Sequence, residues 1–161
     1  MYDEIKRHEY FMKMAIDLAA SNLETGDGGP FGAVVVKNGE IIGKGSNQVT
    51  STNDPTAHAE VVAIRDACKN LNSFQLEDCE IYASCEPCPM CLGAIYWARA
   101  AKLYFAASRE DAAEAGFDDS YIYQQVPLKP EKRDLKAVQL MKGQAVQVFN
   151  LWIEREQKIP Y

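Results

Sequence analysis

No run of apolar residues in this 161-residue chain approaches the ~18 needed to cross a bilayer, which excludes a transmembrane helix of ordinary length. The opening Met1-Tyr2-Asp3-Glu4 is acidic and has neither the basic nor the apolar region of a secretory leader. Basic charge is scarce too. Lys and Arg number 17 against 23 Asp and Glu, a net charge of −6, which argues against a broad phosphate-binding surface and so against nucleic acid as a partner. Repeats, low-complexity tracts and linkers rich in Gly, Pro and Ser are also missing, so one domain over residues 1–161 is expected. A disulfide framework does not fit either, because the five cysteines are odd in number and three of them crowd between Cys85 and Cys91. Clustered thiols without an export signal read as metal binding in a reducing compartment, and a cytoplasmic location is expected. What remains is an ordinary globular composition, 47% hydrophobic and 25% charged, which argues against disorder, while the acidic balance favours a small-molecule substrate.

Periodicity divides the chain into alternating elements. Phe11, Met14, Ala15, Leu18 and Ala19 recur at helical spacing and predict a helix over Lys6 to Leu23. Gly26, Gly28, Gly29 and Pro30 end it in a loop. Phe31 to Lys37 reads as a buried strand, Asn38-Gly39 as a tight turn, and Glu40 to Asn47 as the returning strand. Asp54 and Pro55 have the residue types of a helix start, with Asp54 as cap, and predict a helix to about Lys69. Cys79 to Ser84 and Lys102 to Ala107 read as strands flanking a helix over Pro89 to Arg99, a βαβ unit with parallel strands. Further on, a short helix at Ser120 to Gln125, a strand at Lys136 to Met141 and a helix over Gln144 to Gln157 are predicted. Together these give a three-layer α/β/α fold around a mixed sheet of about five strands.

The chemistry lies in His58-Ala59-Glu60 and Pro87-Cys88-Pro89-Met90-Cys91. One imidazole and two thiolates make three ligands for zinc, and a tetrahedral zinc with three protein ligands keeps a fourth position for water. Glu60 adds a carboxylate to accept and return a proton. On an ideal helix His58 and Glu60 would point ~200° apart, so they can serve one ion only near a helix N-terminus. Cys88 and Cys91 also begin a helix, whose positive end favours thiolates. Rival readings exist. Cys88-x-x-Cys91 alone could be a redox dithiol, and Cys85 with His58, Cys88 and Cys91 would complete a closed structural Cys₃His site. An iron–sulfur reading of the three cysteines lacks its fourth, since Ile95 stands in its place. A closed site leaves Glu60 without a purpose, and Cys85 ends a strand ahead of the turn. Cys68 and Cys79 read as small buried apolar residues.

His-x-Glu with Pro-Cys-x-x-Cys resembles the pattern of the cytidine deaminase-like zinc enzymes, which hydrolyse an amino group from a heterocyclic base. Further segments narrow the resemblance: Gly29-Pro30-Phe31-Gly32-Ala33-Val34-Val35-Val36, Gly93-Ala94-Ile95-Tyr96-Trp97-Ala98-Arg99, and Ala112-Ala113-Glu114-Ala115-Gly116-Phe117-Asp118-Asp119-Ser120. These are similar to the bacterial guanine deaminases, with the Phe117–Ser120 block and the terminal Tyr161 the distinguishing parts. The tRNA adenosine deaminases share the size and the His-Ala-Glu but differ after Ala107. The resemblance implies one Zn²⁺ per chain held by His58, Cys88 and Cys91, with Glu60 as the proton carrier. It also implies a purine base contacted by Asn47 and Asp119, with Phe31, Ala59 and Trp97 around it. A homodimer is implied as well, in which Tyr161 arrives through an exchanged C-terminal segment. Asn47 could donate to guanine's oxygen and ring nitrogens, and Asp119 could accept from its N–H and amino group.

Overall fold

The computed structural model describes residues 2–161, which form two compact units divided between Asp119 and Ser120. The first unit is a three-layer α/β/α arrangement. Its sheet is mixed and four-stranded, in the order β2-β1-β3-β4, with β1 at Gly32–Lys37, β2 at Glu40–Ser46, β3 at Cys79–Cys85 and β4 at Lys102–Ala107. Asn38 and Gly39 both take positive φ (52° and 82°), as a two-residue hairpin turn requires, and return the chain from β1 into antiparallel β2. β1 also pairs antiparallel with β3, while β3 and β4 run parallel across a helical crossover.

The unbroken apolar run of β1 follows from burial on both faces. Val34 and Val36 pack with Tyr82 against Phe11 and Ala15 of the long helix α1, Tyr2–Thr25. Ala33 and Val35 turn the other way, onto Ala59, Ala63 and Ala67 of α3, Ala59–Leu71, and onto Ile95 of α4, Pro89–Trp97. In chain order a short helix α2, Val49–Thr52, comes between β2 and α3, and after β4 comes α5, Arg109–Glu114, started by a Ser108/Asp111 capping box. The α1 face carries a polar tie: Arg7 pairs with Glu80, and Tyr82 donates to the same carboxylate at 3.2 Å.

Register fixes which chain segments meet at one end of the sheet. Gly32 opens β1 opposite Ser46 at the close of β2, and its N–H donates to the Ser84 hydroxyl near the end of β3 at 3.0 Å. The loop before β1, the residue after β2 and the turn after β3 therefore share one edge, the carboxyl end of β3, where open α/β sheets commonly bind ligands.

Glycine sets how closely α3 approaches. A Cβ on Gly45 would lie 2.2 Å from the Ala59 carbonyl oxygen, and one on Gly43 would lie 2.5 Å from that of Ala63. Strand and helix thus touch backbone to backbone.

The second unit holds α6 at Ser120–Gln125, a 3₁₀ turn at Pro130–Lys132 and α7 at Lys142–Glu154. Asp134 accepts from Tyr121 at 3.1 Å and from Gln125 at 3.2 Å, and Arg133 donates to the carbonyls of Leu128 and Val126, which ties α6 to the turn. The expected strand at Lys136 to Met141 does not form, so the sheet has four strands rather than about five. Leu135, Val138 and Leu140 are exposed there, and no ladder pairs the segment. Other boundaries shift: α1 runs longer at both ends than predicted, α4 stops at Trp97 rather than Arg99, and α7 ends at Glu154 rather than Gln157.

Gly45→Ala should destabilise the protein by about 1–3 kcal/mol, because the added methyl overpacks a backbone contact whose own φ needs no glycine. Urea unfolding of the two proteins checks this, and an unchanged midpoint would mean that α3 can shift away freely.

Candidate active site

Two helix starts meet at the carboxyl end of β3. The sequence predicts Asp54 as the cap of α3, but Asp54 instead closes a turn of its own: its Oδ1 accepts from the Thr56 N–H at 2.8 Å and the Thr56 hydroxyl at 2.6 Å. The helix begins four residues later. His58 is its N-cap residue, with φ −68° and ψ 154°, and its side chain makes no capping bond. Cys88 has the same role at α4 (φ −63°, ψ 167°), with Pro89 at the first helical position. Neither His58 nor Cys88 is therefore held to helical spacing. His58 and Glu60 escape the ~200° divergence of an ideal helix because only Glu60 lies within it.

His58 Nδ1 is 3.5 Å from Cys88 Sγ and 3.5 Å from Cys91 Sγ, and the three ligand atoms lie within 4.8 Å of one another. Zinc bonds of ~2.3 Å to sulfur and ~2.0–2.1 Å to nitrogen, at the tetrahedral angle, put sulfur and nitrogen ~3.5–3.6 Å apart. The donor set fits one zinc in both chemistry and spacing. The positive ends of α3 and α4 converge there, which favours thiolate and carboxylate charge.

Protonation differs among the three neighbouring thiols. Cys88 is pulled down to about 4, first by the hydrogen bond from the Cys91 thiol and then by His58. Cys91, hydrogen-bonded to Cys88 and buried, is pushed up, since a second negative charge beside the first is costly. Cys85 is pushed up to about 11 by burial and by the Glu60 charge, and its Sγ turns to the Ser108 carbonyl at 3.5 Å. Cys85 is not in the metal-binding group. Glu60 is buried, its Oε2 is 3.3 Å from Cys91 Sγ, and burial raises its carboxyl above the ordinary range. A carboxyl held in that range is suited to taking up and giving back a proton.

Of the other residues singled out in the sequence, Asn47 is buried directly after β2, and its Oδ1 accepts from the backbone N–H groups of Gly29 at 3.3 Å and Val49 at 3.1 Å. Asp119 lies close enough to Cys88 and Cys85 for their charges to interact, and burial raises its carboxyl. Phe31 meets Phe117 edge to face, ring centroids 4.9 Å apart. Ala59 is buried in the first turn of α3. Trp97 is the last residue of α4, whose N-cap is Cys88, and is 67% exposed. Tyr161 belongs to the second unit and is exposed. Phe117 and the buried Asn22 are not among the base-contacting residues expected from the sequence, although Phe117 lies in the distinguishing block and Asn22 continues the Ala15, Ala19 stripe at helical spacing.

This chain matches the cytidine and deoxycytidylate deaminase zinc-binding region over residues 5–107. It belongs to that family of zinc-dependent deaminases. Within it, the chain belongs with the guanine deaminases: it is 55% identical to the guanine deaminase of Bacillus subtilis over 145 residues, 90% of this chain and 93% of that one. The X-ray structure of guanine deaminase from Bacillus subtilis superposes with a TM-score of 0.93 at 53% identity, covering 96% of this chain and 98% of that one. A tRNA-specific adenosine deaminase of Aquifex aeolicus is 48% identical over 99 residues, 62% of this chain and 65% of its own.

The three thiols separate by metal analysis. Cys85→Ser should keep one zinc per chain, whereas Cys88→Ser should lose it; equal loss from both would make the site the closed Cys₃His kind.

Proposed function

We propose that this chain hydrolyses guanine to xanthine and ammonia as a single deaminase domain over residues 1–161, with His58, Cys88 and Cys91 holding one zinc. The observation that carries the reading is Glu60, a buried carboxyl beside a three-ligand metal site, where it suits proton transfer. When bound, zinc supplies the Lewis acidity that makes water a nucleophile near neutral pH. Glu60 takes a proton from the attacking water and delivers it to the ring nitrogen beside the amino-bearing carbon. It then passes a proton to the departing amine. The water oxygen remains on the ring as the new carbonyl, and ammonia leaves, so one water is consumed for each ammonia released.

Asn47 and Asp119 read the base in this proposal. The Asn47 amide donates to guanine's oxygen and ring-nitrogen edge, and the ionised Asp119 accepts from its N–H and amino groups, which adenine cannot match. Phe31 offers a ring face braced by Phe117, and Ala59 is proposed to meet the base from the first turn of α3. Trp97 is proposed as a second aromatic face for the base, and Tyr161 is proposed to reach it from the partner chain.

The assembly we propose is a homodimer with an exchanged C-terminal segment. Its support is the second unit, where no described residue of 120–161 is buried and Val148, Phe149, Leu151 and Ile153 of α7 are all exposed. That much apolar surface calls for a partner face. A cytoplasmic setting is proposed as well, supported by five cysteines of which none forms a disulfide.

Ammonia release measured with guanine, guanosine, adenine, cytidine and tRNA tests the reaction. Guanine should be the preferred substrate, and release from tRNA alone would overturn the reading. Glu60→Gln should keep its zinc while turnover falls ~10²–10⁴-fold. Asp119→Asn should cost about 2–4 kcal/mol in kcat/KM for guanine with zinc retained, and Asp118→Asn much less.

The exchange has its own test. Neither Glu60→Gln subunits nor subunits lacking Tyr161 should be active alone, but a mixture refolded together should regain activity. Each mixed dimer then holds one site with its own Glu60 and the partner's C-terminus. No recovery would mean that each C-terminus serves its own chain.

A further inference from the structure

We propose that Asn22 is a positioning residue for purine recognition, holding the Asn47 amide so that only its nitrogen is offered to the base. The proposal rests on the reading of Asn47 given above. Asn22 is a buried polar residue on the sheet-facing side of α1, where Ala15 and Ala19 otherwise allow close contact. Its Nδ2 donates twice, to the Gly29 carbonyl at 2.9 Å and to the Asn47 carbonyl at 2.7 Å. One amide group thereby joins the loop before β1 to the residue after β2.

The join determines what Asn47 can present. Asn47 Oδ1 accepts from two backbone N–H groups, those of Gly29 and Val49. Both partners are obligate donors, so the amide cannot be turned over without leaving them facing an NH₂ group. Its orientation is thus fixed by chemistry, and Asn47 Nδ2 faces away with no partner among the described residues. That nitrogen is not sealed from solvent, because no fully buried side-chain polar atom lacks a partner. A donor with one open direction recognises a carbonyl or a ring nitrogen and rejects an amino group.

Gly28 completes the clamp. A Cβ there would lie 2.3 Å from the Asn47 carbonyl oxygen and 2.4 Å from Oδ1, so the loop can lie on Asn47 only because residue 28 has no side chain. Asn22 draws the loop onto Asn47, and Gly28 lets it arrive. Without Asn22, the Gly29 N–H loses its fixed position and the Asn47 amide gains freedom to rotate.

The test is a double-mutant cycle on guanine turnover with zinc content measured throughout. Asn22→Ala should lower kcat/KM for guanine at least fivefold, mainly through KM, at one zinc per chain. In an Asn47→Ala background the same substitution should cost less than twofold, because the amide it positions is gone. A general structural role would instead give the same fold loss in both backgrounds, and that result, or an Asn22→Ala enzyme matching the wild type, overturns the proposal. Should Asn22→Ala not fold, Gly28→Ala enters the same cycle with the same criterion. A wild-type protein that releases no ammonia from guanine would instead count against the proposed function itself.

Discussion

Everything at the site depends on two helices beginning at the same point. The first turn of a helix leaves four N–H groups without intrahelical partners, and those of α3 and α4 converge where β3 ends. In many helices the cap side chain would bend back to satisfy one of these groups. Here the cap residues are His58 and Cys88, and neither does so. Their side chains extend from the helix ends instead, and Cys91 and Glu60 come from the first turns behind them. The site therefore combines the reach of loop residues with the rigidity of helical ones, and it sits where both helix dipoles favour negative charge.

The layers beneath account for that rigidity. β1 is buried on both faces, and α3 packs onto the hairpin through Gly43 and Gly45 without intervening side chains. The βαβ crossover from β3 through α4 to β4 fixes Cys88 at the end of a central strand. On the other face, the Arg7–Glu80 pair and the tyrosines around it anchor α1, whose far end carries Asn22 to the carbonyls of Gly29 and Asn47. Both faces of the sheet thus contribute to one edge of it.

Much of this was legible in the residues. Histidine and cysteine at these spacings point to a metal because few other uses need those types together, and the side chains lie within 4.8 Å of one another. The hairpin was readable because Asn38-Gly39 accepts positive φ at both positions. The start of α3 was not. Asp54-Pro55-Thr56 has the composition of a helix start and also that of a polar turn, and local composition cannot separate the two. Lys136 to Met141 alternates like a strand, but a strand also needs a neighbour, which alternation does not supply. Asn22 was hidden because a polar residue in an apolar stripe looks like an interruption until its two carbonyl partners, from distant parts of the chain, are known.

The contact of Gly43 and Gly45 with α3 also makes the tolerance of this site to change one-sided. Most packed interfaces can drift either way, since a larger residue on one side can be answered by a smaller one opposite. Here both sides are already near the minimum, glycine facing the backbone at Ala59, Ala63 and Ala67. Substitution can therefore only drive the helix and its site residues outward, and no second change within the seam can bring them back. Variation in this protein should accumulate on the outer faces of α3, while the spacing between β2 and the start of that helix stays fixed.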